Sequence, residues 1–170
     1  MDQVGEALLQ HFEERLAYFQ ICDRHRLRPD AWMKIEVLRV LHDEANAGVV
    51  HALRPDRQGG DASFEAGGTE WWLTVRGLIT SYAGTGREAR PTVASVEEVA
   101  REMDKVRGLA TLSGGAPALL LAAFPFCPQP LERREWASQM LRFEAKGFAE
   151  PRQRTLVLGA DRECRLFLFT

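Results

Sequence analysis

The fold is decided by residues 61–77, which read Asp-Ala-Ser-Phe-Glu-Ala-Gly-Gly-Thr-Glu-Trp-Trp-Leu-Thr-Val-Arg-Gly. Paired glycines separate two segments of strand character, so this stretch predicts a β-hairpin in which residues 66–69 form a four-residue loop. Side chains alternate between the two faces of a strand, so the second segment has two distinct faces. One face carries Glu70, Trp72, Thr74, Arg76 and Leu78, and the other carries Trp71, Leu73, Val75 and Ile79.

The loop length determines which residues of the hairpin lie opposite each other. With a four-residue loop, Asp61 pairs across from Thr74, and the side chains of Asp61, Thr74 and Arg76 lie together on one face. A slip of one residue would move Asp61 to the opposite face. The sequence therefore predicts a polar cluster of these three residues on one side of the hairpin.

Apolar periodicity and turn residues predict the other elements. In chain order they are helix 4–21, helix 31–47 with Asp30 as its cap, strand 49–53, hairpin strands 61–66 and 70–79, helix 95–109, strand 118–124, helix 131–146, and a final hairpin of strands 155–158 and 164–169. Strand 118–124 is continuously apolar, which is typical of a strand buried on both faces. Hairpin-linked strands followed by a helical crossover to such a strand predict an α/β protein with a mixed central sheet flanked by helices.

Composition limits the classes of function. The chain has 170 residues, which fit a single domain, and its 22 basic and 24 acidic residues give a net charge of -2. The whole chain therefore has no electrostatic attraction to nucleic acid or to an anionic membrane, and such binding would need a local patch. Three widely spaced cysteines indicate reduced thiols. The chain shows no signal peptide and no run of roughly 18 apolar residues, which predicts a cytoplasmic protein without a membrane span.

The order of the elements resembles that of a known superfamily. The matching parts are the helix segment Trp32–Leu41, then Arg54-Pro55-Asp56, Asp61, Trp71–Gly77, helix 95–109 and strand 119–124. Together they resemble the PD-(D/E)XK, or restriction-endonuclease-like, nuclease superfamily, whose motif is short and degenerate. The resemblance implies a three-layer nuclease-like core at residues 30–126. Residues 1–29 then form an N-terminal helix, and residues 127–170 form a helix and a C-terminal hairpin of the same domain.

The resemblance also implies a metal site. Glu36 stands at the first-helix acid and Asp61 at the motif aspartate, and both are the implied ligands of Mg²⁺. Thr74 stands at the second motif acid and Arg76 at the motif lysine, so two of the four positions depart from the pattern. Thr74 offers only a neutral hydroxyl, and Arg76 stays protonated and cannot act as a base. Mg²⁺ is therefore expected to bind weakly or not at all, although Arg76 can still stabilise phosphate charge.

A loop at residues 80–94 is a second candidate region. It contains Arg87 and Arg90, which are the natural donors to an anion such as phosphate, together with the amino end of the helix that follows Ser95. A mobile surface loop is the plainer interpretation.

Two of the site residues have alternative interpretations. Trp72 is expected to be semi-exposed beside Thr74, where it either stacks on a base or packs against a helix. Glu36 reaches a metal beside Asp61 if its helix packs under the hairpin, or it forms an exposed pair with Arg39.

Three functions of different classes fit these observations. The preferred one is a nuclease-like domain that has lost cleavage and binds nucleic acid or a protein partner, because Thr74 and Arg76 depart from the motif. The second is an active Mg²⁺-dependent nuclease in which Asp61 and Glu36 suffice for the metal. The third is an immunity or assembly protein that uses the fold as a scaffold, and it predicts an exposed apolar patch at residues 166–169. A homodimer is left open.

Overall fold

The computed structural model of this chain describes residues 1–55, 60–80, 93–126 and 150–170. These ranges contain four helices: α1 (Asp2–Glu13), α2 (Leu16–His25), α3 (Asp30–Asn46) and α4 (Val93–Ser113). They also contain six strands: β1 (His51–Pro55), β2 (Ala62–Ala66), β3 (Thr69–Ile79), β4 (Ala116–Phe126), β5 (Arg152–Gly159) and β6 (Arg162–Phe169). The predicted helix 131–146 lies outside the described residues. None of the four helices has both the length and the apolar character needed to cross a bilayer.

The six strands form one mixed sheet in the order β1-β2-β3-β4-β6-β5. β3 and β4 are parallel, and the other neighbouring strands are antiparallel. Parallel neighbours cannot be joined by a tight turn, and α4 lies in the crossover connection between them. The predicted sequence of hairpin-linked strands, helical crossover and buried strand is confirmed.

Side-chain alternation gives the sheet two apolar layers. Leu73, Val75 and Leu120 pack against apolar residues of α1, α2 and α3 on one face. On the other face, Leu119 and Leu121 pack against α4. Because β4 contributes to both layers, it is the buried strand that the sequence predicts. The mixed α/β class, with helices flanking the sheet, is therefore confirmed.

The final hairpin differs from the prediction. β6 lies between β4 and β5, so β5 is the edge strand. Residues 166–169 are each at most 1 % exposed. Leu166 and Leu168 enter one apolar layer, whereas Phe167 and Phe169 enter the other. The predicted exposed patch on this hairpin is wrong, because a strand inside a sheet covered on both faces has no face left for solvent.

The predicted helix 4–21 is divided into two helices. The backbone leaves the helical conformation at Arg15, where φ is -107° and ψ is 29°. Nη1 of Arg15 donates to the carbonyl of His11 at 3.3 Å, so the side chain satisfies one of the carbonyls freed at the end of α1. No glycine or proline marks this break, and the apolar periodicity continues across it. The periodicity alone therefore does not reveal it.

A close approach at Gly77 fixes α3 against β3. The N–H of Gly77 donates to Oδ1 of Asp30 at 3.1 Å. A Cβ at Gly77 would lie 2.4 Å from Cδ of Pro29, so the two elements approach too closely for a side chain. The prediction of Asp30 as the cap of this helix is wrong: Pro29 occupies the cap position and Asp30 is the first residue of α3, with its carboxylate accepting from Gly77 and Arg28. This packing places Lys34, one helical turn later, beside the β2–β3 hairpin.

Candidate functional site

The hairpin that carries the candidate site has the predicted register. Its pairs are Ala62–Leu73, Ser63–Trp72, Phe64–Trp71, Glu65–Glu70 and Ala66–Thr69. Asp61 lies just before β2, and its N–H donates to the carbonyl of Leu73 at 2.9 Å, so its partner on β3 is Leu73, which also pairs with Ala62, and not the predicted Thr74. The turn consists of Gly67 and Gly68 at φ 60° and 76°, the conformation of a two-residue type I′ turn. The predicted four-residue loop is therefore a two-residue turn, because Ala66 and Thr69 pair with each other at the end of the ladder.

Each oxygen of the Asp61 carboxylate lies 2.7 Å from a positively charged nitrogen. Oδ2 accepts from the backbone N–H of Val75 and from Nη1 of Arg76, each at 2.7 Å. Oδ1 lies 2.7 Å from Nζ of Lys34, which reaches down from α3. The side chain of Asp61 is only 15 % exposed. Charge-assisted hydrogen bonds in such a setting are short and strong, so these donors fix the carboxylate in place.

Arg76 connects Asp61 to a second acid. Its Nε donates to Oε2 of Glu102 on α4, while its Nη1 holds Asp61. Burial by itself would lower the pKa of Arg76, but the hydrogen bond to Glu102 and the charges of Asp61 and Glu102 raise it above its ordinary value. Arg76 is therefore a permanent cation that holds two carboxylates. Lys34, Asp61, Arg76 and Glu102 together are called the ion-pair network below.

The ion-pair network is electrically balanced, with two cations and two anions. A divalent ion at Asp61 would have to displace Lys34 or Arg76, which pair with its two oxygens. Mg²⁺ requires oxygen ligands in near-octahedral geometry, and here nitrogen donors occupy the corresponding directions. In the ranges that the structure describes, no group of three or more His, Cys, Asp or Glu side chains is arranged to hold a metal ion.

The hydroxyl of Thr74 is buried without a partner. Thr74 is 0 % exposed, and its Oγ1 makes no hydrogen bond in the described part of the chain. Oγ of Ser63, on the same face of the hairpin, is in the same situation. A buried hydroxyl without a partner is destabilising by about 1–3 kcal/mol. The position that the resemblance assigns to a motif acid thus holds a buried hydroxyl without a partner among the described residues.

Glu36 lies away from Asp61. Its Oε2 is 2.5 Å from Nε2 of His11 and 2.9 Å from Nε of Arg15. Lys34 precedes Glu36 by two residues, which is about 200° of rotation around α3, so the two side chains point in nearly opposite directions. Burial would raise the pKa of Glu36, but the hydrogen bonds from His11 and Arg15 lower it below its ordinary value. The expectation that Glu36 joins Asp61 at one ion is corrected: Glu36 ties α3 to the end of α1.

Trp72, another predicted site residue, is buried. Trp72 is 6 % exposed, and it packs against Val106 and Ala110 of α4 while its Nε1 donates to Oγ of Ser113 at 3.0 Å. The expected semi-exposure is therefore wrong, and packing against a helix is the interpretation that the structure supports. Arg87 and Arg90 lie outside the described residues.

Two residues of the ion-pair network were not identified by the sequence. Lys34 lies in the predicted helix, but only the packing angle of that helix selects Lys34 over Glu36. Glu102 follows Val99 by three residues and precedes Met103, both of which are buried, so it borders the apolar stripe of α4. A charged residue at such a border, facing a strand that carries Arg76, is the signal that could have found it.

Fold and site together define a mixed α/β protein in which a sheet-borne aspartate is neutralised by fixed cations. In a comparison with known proteins, no family model, curated protein or solved structure matches the chain.

Proposed function

We propose that this chain is a restriction-endonuclease-like domain that does not cleave phosphodiester bonds and acts by binding nucleic acid. The observation that carries this proposal is the occupation of Asp61. Lys34 and Arg76 hold the two oxygens at 2.7 Å, at the position where a nuclease of this superfamily would hold its metal ion. The order of helices and strands supports the scaffold, because hairpin strands precede a helical crossover to a buried parallel strand.

The threonine at position 74 explains in electrostatic terms why no metal ion is needed. An acid at position 74 would place a second negative charge beside Asp61, and a divalent cation would compensate both charges. With a threonine at position 74, the network contains only two carboxylates, those of Asp61 and Glu102. The charges of Lys34 and Arg76 are sufficient to neutralise both. The fold keeps its electrostatic balance without the metal, and phosphodiester hydrolysis loses the ion that generates the nucleophile.

The final hairpin gives no support to the scaffold alternative, which predicts an exposed apolar patch there. Residues 166–169 are buried in the two apolar layers. Binding to nucleic acid needs a local excess of positive charge, since the whole chain carries -2.

The first experiment measures metal binding and cleavage in parallel. Titration calorimetry with Mg²⁺ and with Mn²⁺ is expected to show no saturable heat at millimolar metal, and a plasmid incubated with the same ions should stay intact. Asp61→Ala serves as the matched control, since it removes the central carboxylate. Metal-dependent cleavage by the wild type that disappears in Asp61→Ala would refute the proposal.

A second experiment rebuilds the site. Thr74→Glu combined with Arg76→Lys should raise the affinity for Mg²⁺, because two facing carboxylates then bind one ion and the fixed guanidinium is removed. Adding Lys34→Met should raise it further by freeing Oδ1 of Asp61. The control adds Asp61→Ala to the rebuilt protein and should abolish the gain. Unchanged calorimetric affinity in a folded rebuilt protein would contradict the site assignment.

A further inference from the structure

Exposed large apolar side chains are concentrated on α2, on α3 and in the segment between them. Six are found in the described residues, and four of them lie within residues 18–35, a short part of the chain. Their exposed fractions are 52 % for Tyr18, 50 % for Ile21, 53 % for Leu27 and 67 % for Ile35. Single exposed apolar side chains are ordinary, but a contiguous group of this kind marks an interaction site.

Helical spacing places these side chains on one continuous surface. The outward face of α2 carries Tyr18, Ile21 and His25, and that of α3 carries Trp32, Ile35 and Arg39. The two faces meet where the rings of Tyr18 and Trp32 stack, with centroids 4.8 Å apart and planes within 13°. These six residues, with Arg24, Arg26 and Leu27 at the end of α2, are called the α2–α3 surface.

The aromatic pair at the centre of this surface is anchored in the core. Trp32 meets the rings of Phe12 and Phe19 edge-on at 5.6 Å and 5.3 Å, and Phe19 meets Phe124 of β4 at 6.2 Å. Tyr18 is the outermost ring, and more than half of it is exposed because Trp32 covers one face only. An aromatic ring that is held on one face and open on the other is a rigid platform for a further planar group.

The segment that carries the surface is locally basic, although Glu13, Glu14, Asp43 and Glu44 flank it. Residues 15–39 contain six basic and three acidic residues, whereas the whole chain has a net charge of -2. All three acids already have partners: Asp23 pairs with Arg162 at 3.0 Å, Asp30 pairs with Arg28 at 3.2 Å, and Glu36 pairs with Arg15. The acids of this segment therefore do not neutralise its outermost cations.

Those outermost cations are three arginines. Arg24 and Arg39 are exposed, and within the described ranges neither makes an ion pair or a side-chain hydrogen bond. Arg26 donates to the carbonyl of Thr80 at 3.3 Å, which positions its guanidinium without neutralising its charge. Guanidinium groups suit phosphate oxygens because they donate two parallel hydrogen bonds and hold water weakly.

We propose that the α2–α3 surface binds single-stranded nucleic acid, with a base stacked on the open face of Tyr18 and phosphates held by Arg24, Arg26 and Arg39. Every base has a planar face, so stacking on an aromatic ring tolerates any sequence. In a duplex those faces are occupied by neighbouring base pairs, so the platform selects single strands. This inference rests on the proposed function, because it names the strand form and the surface for that binding activity.

The experiment measures the fluorescence anisotropy of a labelled oligothymidylate, with an unlabelled duplex as competitor. The wild type should bind the single strand, and the duplex should compete weakly. Tyr18→Ala should weaken binding roughly 5- to 100-fold, as expected for the loss of one stacked base, whereas Tyr18→Phe keeps the ring and should bind like the wild type. Tyr18→Leu keeps the apolar cover over Trp32 and replaces Tyr18→Ala if that variant does not fold.

A matched control and a salt series complete the design. Val157→Ala removes an exposed apolar side chain from the edge strand β5. Leu156 and Leu158 face the apolar layer that includes Phe19 of α2, so Val157 points to the other face of the sheet and its loss should leave the affinity unchanged. Arg39→Gln should make the slope of log affinity against log salt shallower by about 0.7 for each phosphate of a single strand that the variant no longer neutralises.

The outcomes separate this inference from the proposed function. Unchanged affinity in Tyr18→Leu or Tyr18→Ala overturns the assignment of the surface, and the proposed function stands because the strand then binds elsewhere. No binding of the wild type to either the single strand or the duplex overturns both proposals. Preference for the duplex overturns the inference alone.

Discussion

The ion-pair network and the α2–α3 surface both gather charged side chains, but they use them in opposite ways. In the network, Asp61 and Arg76 are each 15 % exposed, and their charges are matched within hydrogen-bonding distance. On the surface, Arg24 and Arg39 are exposed and the local acids are committed to other partners. Paired charge in the interior stabilises the fold, whereas unmatched charge outside is available to a ligand.

The physical reason for the difference is desolvation. An ion taken out of water must be compensated by a partner, so a half-buried sheet position tolerates Asp61 only with Lys34 and Arg76 beside it. An exposed arginine keeps its water and needs no partner. The same residue type is therefore structural at Arg76 and free for recognition at Arg39.

The largest effect should come from breaking the network at its centre. Asp61→Ala leaves Lys34 without its acid, Arg76 with Glu102 alone and the N–H of Val75 without its acceptor, so we expect a loss of about 3 kcal/mol in the free energy of unfolding. Arg39→Ala, on the surface, should change it by less than about 0.5 kcal/mol. Urea unfolding followed by circular dichroism measures both.

A matched control separates charge from hydrogen bonding. Asp61→Asn keeps an oxygen for the N–H of Val75 but removes the negative charge, so its stability should lie between those of Asp61→Ala and the wild type. Equal stabilities for Asp61→Ala and Arg39→Ala would show that the network contributes no more to stability than a surface charge. The proposed difference between the network and the α2–α3 surface would then be wrong.

A smaller effect should come from the buried hydroxyl of Thr74, which lies on the same strand as Arg76. Thr74→Val removes a buried hydroxyl without a described partner and keeps the shape of the side chain, so it should raise the free energy of unfolding by about 1 kcal/mol. Thr74→Ser keeps the hydroxyl, loses a methyl group and should be destabilising. The same urea titration measures both variants. A Thr74→Val protein less stable than the wild type would mean that the hydroxyl has a partner, such as a bound water.

How far the sequence predicts this molecule depends on the range of the interaction. Alternation along residues 70–79 and the paired glycines are local, and they correctly predict the faces of β3 and the register of β2 against β3, although not the backbone partner of Asp61. The continuous apolar run of β4 correctly predicts a strand buried on both faces. The burial of residues 166–169 was not predicted, because the position of β6 inside the sheet is set by pairing with β4, far away in the chain.

The candidate site is harder to predict than the fold. Its acid Asp61 and its arginine Arg76 share one hairpin, and their proximity follows from register. Lys34 and Glu102 enter from helices on opposite faces of the sheet, so their positions depend on the rotation of each helix about its axis. That rotation is set by packing, including the close approach of Pro29 to Gly77. If α3 were rotated by about half a turn, Glu36 would face the hairpin in place of Lys34.

The smallest effect should come from Glu36, which lies at the boundary between the two regions. Its carboxylate pairs with Arg15 and His11, and its pKa is lowered below the ordinary value of 4.5. A lowered pKa means that the folded state favours the ionised form, so the stabilisation is complete above the unfolded-state pKa and is lost as the pH falls through the folded-state pKa. The stability that Glu36 contributes should therefore fade on acidification below about pH 4.5.

Glu36→Gln tests this dependence because it cannot ionise. At neutral pH the variant should be less stable than the wild type by less than about 1 kcal/mol, since the pair is partly exposed to solvent. Urea unfolding at a series of acidic pH values should show the two proteins converging as the wild-type carboxylate becomes protonated. If the difference in stability between the two proteins stays constant as the pH falls, Glu36 stabilises the contact between α3 and α1 through packing and not through its charge.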